Sequence, residues 1–353
     1  AGWPNWPASA SWPPWRKAMP EAAPGAGAEF APPRWLRSAH VQSVLGTSAW
    51  RRRRGALQLA STGALTTSHI LDGGDGVRLQ GQHSAVPGLR SRGLVLLLHG
   101  WEGSSDSSYM ALTGAHLLQR GFEVFRLNFR DHGDSHHLNP DLFHSNLIDE
   151  VVHAALDLAG RFPARPLLAA GWSLGGNFAL RLALRAPAAG LPLAGVAAVC
   201  PVRDSPLTLV QMERTPLYLR HFENSWRRSL VRKRELFPEL HDYDDATLRL
   251  GMRELTERLL LRNTDFGSLQ AYFDGYSIAG DRLAGLQLPA AVLTSRDDPV
   301  IPAEGFRHLR LPGHAHLEIA PWGGHCGFLE SVRLDGYSER WVADWLDRAA
   351  AAG

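Results

Sequence analysis

From residue 68 onward the chain switches between two hydrophobic periods. Residues 68–71 and 77–83 flank the glycine-rich stretch Asp72-Gly73-Gly74-Asp75-Gly76, and two short alternating segments around such a turn predict a β-hairpin. Strand-like segments follow at residues 93–98, 122–128, 167–170, 193–200, 290–293 and 316–319, and those at 93–98, 167–170, 193–200 and 290–293 are apolar runs. Runs this short and without alternation predict strands buried on both faces. Helical spacing separates them, at residues 109–120, 146–159, 175–185, 304–309 and 336–349. Strands alternating with helices predict an α/β fold around a mostly parallel sheet. The rhythm breaks at residues 201–278, where helix-prone segments (225–235 and 246–261) stand without a strand signal. This stretch is expected to be a helical cap inserted into one domain that runs over residues 30–353. Its apolar positions Leu207, Leu209, Val210, Leu217, Tyr218 and Leu219 line an apolar entry in this reading, with ordinary helix packing as the alternative.

Composition narrows the class without naming a chemistry. Of 353 residues, 44% are hydrophobic and 20% are charged, which excludes collagen, coiled coil and disorder over most of the chain. A net charge of +2 gives no ground for a nucleic-acid partner. The four arginines at 51–54 read as a solvated loop after a short helix. The longest apolar runs fall well short of the roughly 20 residues that span a bilayer. Residues 1–29, rich in Pro, Ala, Gly and Trp, have neither period and are expected to form a poorly ordered arm without the form of a secretory leader. A weak contact of its tryptophans with a membrane surface is the alternative role. Two cysteines, Cys200 and Cys326, cannot make a disulfide framework, and a cytoplasmic location is expected.

The chemistry concentrates in four segments. Gly171-Trp172-Ser173-Leu174-Gly175 directly follows an apolar run and opens a helical pattern, the setting of a G-x-S-x-G nucleophile elbow. A serine on so tight a turn leaves no room for Cβ atoms two residues to either side, which accounts for Gly171 and Gly175. A serine hydroxyl needs a base, and the base needs an acid to orient it. Asp297-Asp298-Pro299 follows the strand-like run 290–293, with Asp298 the expected acid and Asp297 the alternative. His325, in Gly323-Gly324-His325-Cys326-Gly327-Phe328, is the expected base. The order Ser, Asp, His is that of the elbow's usual partners. The backbone amides of Trp101, in His99-Gly100-Trp101-Glu102-Gly103, and of Leu174 are the expected oxyanion donors. His99 is expected to be a structural hydrogen-bonding residue.

Other candidates carry less. His132, His136, His137 and His144 near Asp131 and Asp134 match no zinc spacing and read as a polar loop. No metal site and no cofactor are expected. Cys326 beside His325 is a candidate redox-sensitive thiol, and Cys200 is expected in the core.

With these segments in place, the chain resembles the α/β-hydrolase superfamily, and within it the YheT-like branch of esterases. The likeness rests on Phe30-Ala31-Pro32-Pro33-Arg34-Trp35-Leu36, His40-Val41-Gln42-Ser43, His99 to Ser105, Asn128-Phe129-Arg130, Gly171 to Asn177, Asp297-Asp298-Pro299 and Gly323 to Phe328. The resemblance implies an eight-stranded, mostly parallel sheet with a helical cap after the sixth strand. It also implies hydrolysis of carboxylic esters with short or medium acyl chains, or of lipids, although some relatives make esters instead. His132 and Asp134 depart from the smaller or less charged pattern expected there. The leading expectation is a serine esterase acting on a small-molecule ester or lipid. Acyl transfer to an alcohol and a noncatalytic binding protein on the same fold are the alternatives.

Overall fold

The computed structural model describes residues 30–352, so the expected arm of residues 1–29 lies outside the described residues. Eight strands form one sheet: β1 (Leu65–Asp72), β2 (Arg78–Ala85), β3 (Leu94–Leu98), β4 (Glu123–Leu127), β5 (Leu167–Trp172), β6 (Leu193–Val199), β7 (Ala290–Ser295) and β8 (Ala315–Ala320). Their spatial order is β1-β2-β4-β3-β5-β6-β7-β8. The β1–β2 hairpin and the β2–β4 pair are antiparallel, and every other pair is parallel. The mostly parallel sheet anticipated from the alternation of strands and helices, with the eight strands that the family resemblance implied, is therefore present.

The absence of alternation in the apolar runs has a direct cause. Every residue of β3 is buried, and successive side chains enter different cores. Leu94, Leu96 and Leu98 join one, with Ala154, Leu158, Phe178 and Leu182, while Val95 and Leu97 join the other, with Met110, Leu117, Val342 and Leu346. Helices cover both faces, so neither set of side chains meets water. Because β3, β5, β6, β7 and β8 run parallel, the loops leaving their C-terminal ends gather on one edge of the sheet, where α/β proteins place their sites.

Between β6 and β7 the chain forms five helices, Ser205–Glu213, Pro216–Leu236, Asp245–Leu248, Met252–Asn263 and Leu269–Tyr276. The second is longer than its apolar period suggested, because Pro216 is tolerated in the first helical turn. The segment anticipated over residues 246–261 is instead two helices, since Gly251 takes an extended conformation and caps the second. Lys233 ties the long helix to the loop after β4: its buried ammonium donates to Asp131 Oδ1 at 2.6 Å and to the carbonyl oxygens of His136 at 3.2 Å and Asn139 at 2.5 Å. The described residues contain no helix long and apolar enough to cross a membrane.

Two N-terminal helices carry no clear hydrophobic period and went unpredicted as a pair: α1 (Ala39–Gly46) and α2 (Ala49–Ser61). The arginine run lies within α2 and not in a solvated loop. Ser48 caps this helix, and Arg51, fully buried, pairs with Glu339 while Arg54 pairs with Asp335. The run is half structural because both acidic partners sit near the C-terminal helix Tyr337–Ala352, nearly 300 residues away.

Candidate active site

Ser173 sits between the end of β5 and the helix Leu174–Ala189, at φ +53° and ψ −118°. A non-glycine residue at positive φ is strained, by roughly 1–3 kcal/mol. The turn can close only because its flanks lack side chains. A Cβ on Gly171 would lie 2.1 Å from the Gly175 carbonyl oxygen, and one on Gly175 would lie 2.2 Å from that of Leu98. The Ser173 amide donates to the Val199 carbonyl at 2.9 Å, which anchors the elbow to β6.

The loops after β7 and β8 bring an acid and an imidazole to this serine. Ser173 Oγ lies 2.9 Å from His325 Nε2, and His325 Nδ1 lies 2.9 Å from Asp298 Oδ2. A carboxylate only accepts, so Nδ1 carries a proton, and in the neutral ring Nε2 presents its lone pair to the serine hydroxyl. Asp298 Oδ1 accepts from the amides of Val300 at 2.8 Å and Ile301 at 2.9 Å, so its carboxylate is fixed at both oxygens. The aspartate side chain is fully buried and the histidine 12% exposed. Burial disfavours a charged imidazole at His325, but Asp298, with help from Cys326, outweighs it and holds the pKa well above the ordinary 6.5. Asp297 plays a different part: its Oδ1 accepts from the Gly324 amide at 2.9 Å and shapes the histidine loop.

The loop after β3 runs beside the serine, close enough that a Cβ on Gly100 would lie 3.2 Å from Ser173 Cβ. The Gly100 carbonyl accepts from His99 Nδ1 at 2.7 Å and from the Gly103 amide at 2.9 Å. In a trans peptide the N–H points opposite to the C=O, so the Trp101 amide faces away from those donors. His99 is buried, takes the Phe129 amide on Nε2 at 3.2 Å, and burial, with His132 nearby, keeps its pKa well below 6.5. His132 does likewise: Nδ1 donates to the Arg130 carbonyl at 2.7 Å and Nε2 accepts from the Glu102 amide at 3.1 Å. Its burial brings the pKa down to about 4, so both rings are neutral braces of this loop. Burial, with Asp131 nearby, pushes the Glu102 carboxyl up to about 8.

Sequence reasoning missed what holds the histidine loop. Helix α1 lies against it so closely that a Cβ on Gly324 would meet the Ala39 carbonyl oxygen at 2.3 Å, and one on Gly327 would meet that of Gln42 at 2.5 Å. Gln42, fully buried, donates from Nε2 to the carbonyls of Leu36 at 2.7 Å and Leu329 at 2.9 Å, and its Oε1 accepts the Leu329 amide at 2.6 Å. Ser43 Oγ accepts the His325 amide at 2.8 Å. The only available signal was the His40-Val41-Gln42-Ser43 motif, which does not disclose a partner 282 residues away.

A cavity of about 120 Å³ opens above Ser173, walled by Trp101, Leu209, Met212, Trp226, Tyr272 and Val300 among others. Trp101 stacks on Phe222 with ring centroids 5.5 Å apart and meets Trp226 edge-on at 5.7 Å. Of the six positions expected at an apolar entry, Leu209 reaches this cavity, whereas Leu207 and Leu217 face solvent and Tyr218 bonds His40. Of the histidines after β4, His136 bonds Ser229 at 2.8 Å, whereas His144 packs edge-on against Phe266 and lines this cavity. Cys200 is buried at the end of β6, as expected of a core residue. Burial pushes the Cys326 thiol up, but Cys200 and His325 beside it win and bring its pKa down to about 6.

Comparison with known proteins shows what the whole chain is similar to. "Putative esterase slr0264" of Synechocystis is 25% identical over 92% of this chain and 95% of its own length, and "Putative esterase YheT" of Escherichia coli is 25% identical over 90% and 93%. Mouse "Phospholipase ABHD3" is 27% identical over 69% of this chain, which spans 60% of that relative's length. The chain likewise spans 66% of the spruce "Embryogenesis-associated protein EMB8", to which it is 22% identical. Among solved structures, an esterase of Pyrococcus furiosus shares the fold with a TM-score of 0.55 at 17% identity, over 82% of this chain and 92% of that one. The sequence profile of the alpha/beta hydrolase family matches residues 95–335, most of the chain and all of the strands from β4 to β8, and the chain therefore belongs to that family, alongside its YheT-like esterases.

Proposed function

We propose that this protein is a serine hydrolase that cleaves carboxylic esters of short to medium acyl chains through an acyl-enzyme on Ser173. The observation that carries the reading is the unbroken row Ser173 Oγ, His325, Asp298, with both hydrogen bonds at 2.9 Å and the serine on a strained elbow. In this reading Ser173 attacks the ester carbonyl while His325 Nε2 takes its proton. The resulting imidazolium is stabilised by Asp298, then returns the proton to the leaving alcohol. Water, activated by the same ring, releases the acid. The amides of Leu174, at the start of a helix, and of Trp101 are the donors for the oxyanion.

The cavity supports the chain-length assignment. Its volume of about 120 Å³ is a little below the ~150 Å³ of an engineered apolar cavity that holds benzene. An acyl group of about four to six carbons fits that space, and the five helices between β6 and β7 act as the cap that supplies much of its wall. The esterase and phospholipase names among the relatives point to the same bond type.

Hydrolysis of a p-nitrophenyl ester series tests this directly. Wild type is expected to turn over the butanoate-to-hexanoate range best, and Ser173→Ala, folded by circular dichroism, to lose kcat by about 10⁴-fold or more. Equal turnover in the two proteins would remove Ser173 from the mechanism. Product analysis with added alcohol separates hydrolysis from acyl transfer: free acid as the dominant product supports the proposal, and ester as the dominant product replaces it.

A further inference from the structure

Beside the proposed triad the fold assembles a donor set that ester hydrolysis does not require. The sulfurs of Cys200 and Cys326 and one ring nitrogen of His325 all lie within 4.8 Å of one another. Cys326 Sγ is 3.9 Å from His325 Nε2. Both cysteines are buried and neither is in a disulfide. They come from different strands' ends: Cys200 follows β6 and Cys326 lies in the loop after β8, so tertiary structure alone creates the cluster.

Two thiols and an imidazole are the ligands of a thiophilic, zinc-like cation. Tetrahedral Zn²⁺ holds sulfur at about 2.3 Å and nitrogen at about 2.0–2.1 Å, which sets ligand atoms roughly 3.5–3.8 Å apart. The observed spacing lies within about 1 Å of that, so binding requires the three side chains to close on the ion by up to this much. We infer that Cys200, Cys326 and His325 form an inhibitory site for a zinc-like divalent cation, which would disable hydrolysis by occupying the base. This inference rests on the proposed role of His325.

Three further features agree with it. Two thiolates neutralise a dication, so the bound unit introduces no net charge into a buried place. Asp298 already holds Nδ1–H at 2.9 Å, so Nε2 is the nitrogen that coordinates once it gives up the Ser173 hydroxyl, the carboxylate–histidine arrangement that orients zinc-binding imidazoles. Ser173, which lines the cavity, already lies 2.9 Å through its Oγ from Nε2, so a cation on that nitrogen displaces the nucleophile's partner. Sulfur donors also discriminate against Mg²⁺ and Ca²⁺, which prefer oxygen. On binding, the protons held by the two sulfurs and by Nε2 are released to solvent, two sulfur–metal bonds and one nitrogen–metal bond form as water leaves the ion, and nothing is oxidised or reduced. The Nε2 lone pair then cannot accept the Ser173 proton.

Cobalt titration of the metal-free full-length chain tests binding apart from catalysis. Wild type and Ser173→Ala are each expected to take up one Co²⁺ with a near-ultraviolet thiolate-to-cobalt band that Zn²⁺ abolishes. Cys200→Ser and Cys326→Ser are expected to bind at least tenfold more weakly, with a diminished band. In parallel, Zn²⁺ inhibition is measured for each protein relative to its own metal-free rate. The site predicts inhibition of wild type that a chelator reverses, and at least tenfold lower Zn²⁺ sensitivity in Cys326→Ser or, if that variant does not fold, in Cys326→Ala. Absence of the thiolate band in folded wild type overturns the site, as does Zn²⁺ sensitivity unchanged by both cysteine substitutions. A failed triad looks different: turnover would then survive in Ser173→Ala whatever the cobalt spectrum shows.

Discussion

Helix α1 holds the loop that carries His325, and removing its grip should separate stability from catalysis. Gln42→Ala deletes three buried hydrogen bonds, at 2.7, 2.9 and 2.6 Å, and leaves the Leu36 carbonyl and both polar groups of Leu329 without that partner. At about 1 kcal/mol for each net bond, rising where a buried group is left unsatisfied, the loss comes to about 3–5 kcal/mol. Ser43→Ala deletes the bond from the His325 amide, at 2.8 Å, and the hydroxyl's own donation to the Ala39 carbonyl, at 2.8 Å, for about 1–2 kcal/mol together. The first bond sits on the proposed base, however, and a misplacement of about 1 Å at a reacting group can lower the rate about 100-fold. Urea unfolding and p-nitrophenyl ester kinetics read the two effects. Gln42→Ala should lose several kcal/mol of stability and unfold at much lower urea. Ser43→Ala should keep most of its stability and its KM while kcat falls by roughly tenfold, and Ser43→Thr, which retains an Oγ, should restore much of it. Wild-type kcat in Ser43→Ala would refute a positioning role for α1, whatever Gln42→Ala does to stability.

Other expectations follow from single distances and charges. Glu102, with its pKa raised to about 8, is neutral at pH 7 and becomes an anion above that value on the same loop as Trp101. Its charge would then oppose a developing oxyanion, so kcat/KM should fall above about pH 8, and Glu102→Gln should abolish that alkaline limb in a pH–rate profile. Gly175→Ala forces a Cβ to within 2.2 Å of a backbone oxygen that cannot swing aside, so it should destabilise by about 3 kcal/mol or more in chemical denaturation. Trp226→Ala widens the cavity behind the Trp101 ring, and the preferred acyl chain should lengthen by two or more carbons in the ester series.

Local pattern determined much of this protein before any coordinates. The doubly buried strands were legible because helices on both sides of a parallel sheet leave no polar face, so β3, β5 and β6 read as plain apolar runs. The elbow was legible because its chemistry is local: Gly171, Ser173 and Gly175 make one turn, and the clash distances show why no other residue fits beside the serine. The choice between Asp297 and Asp298 was not local. Adjacent carboxylates look alike in sequence, and only the packing of the loops after β7 and β8 puts one on His325 and the other on the Gly324 amide. The same holds for Arg51, which shares a run with solvated arginines yet is buried on Glu339, and for Lys233, which meets Asp131 across 102 residues. Gln42, Ser43 and the pairing of Cys200 with Cys326 are likewise contacts between segments far apart in the chain. Periodicity reports how each segment meets water, whereas the partner of a buried polar group depends on which segments the fold brings together, and that was decided by tertiary structure alone.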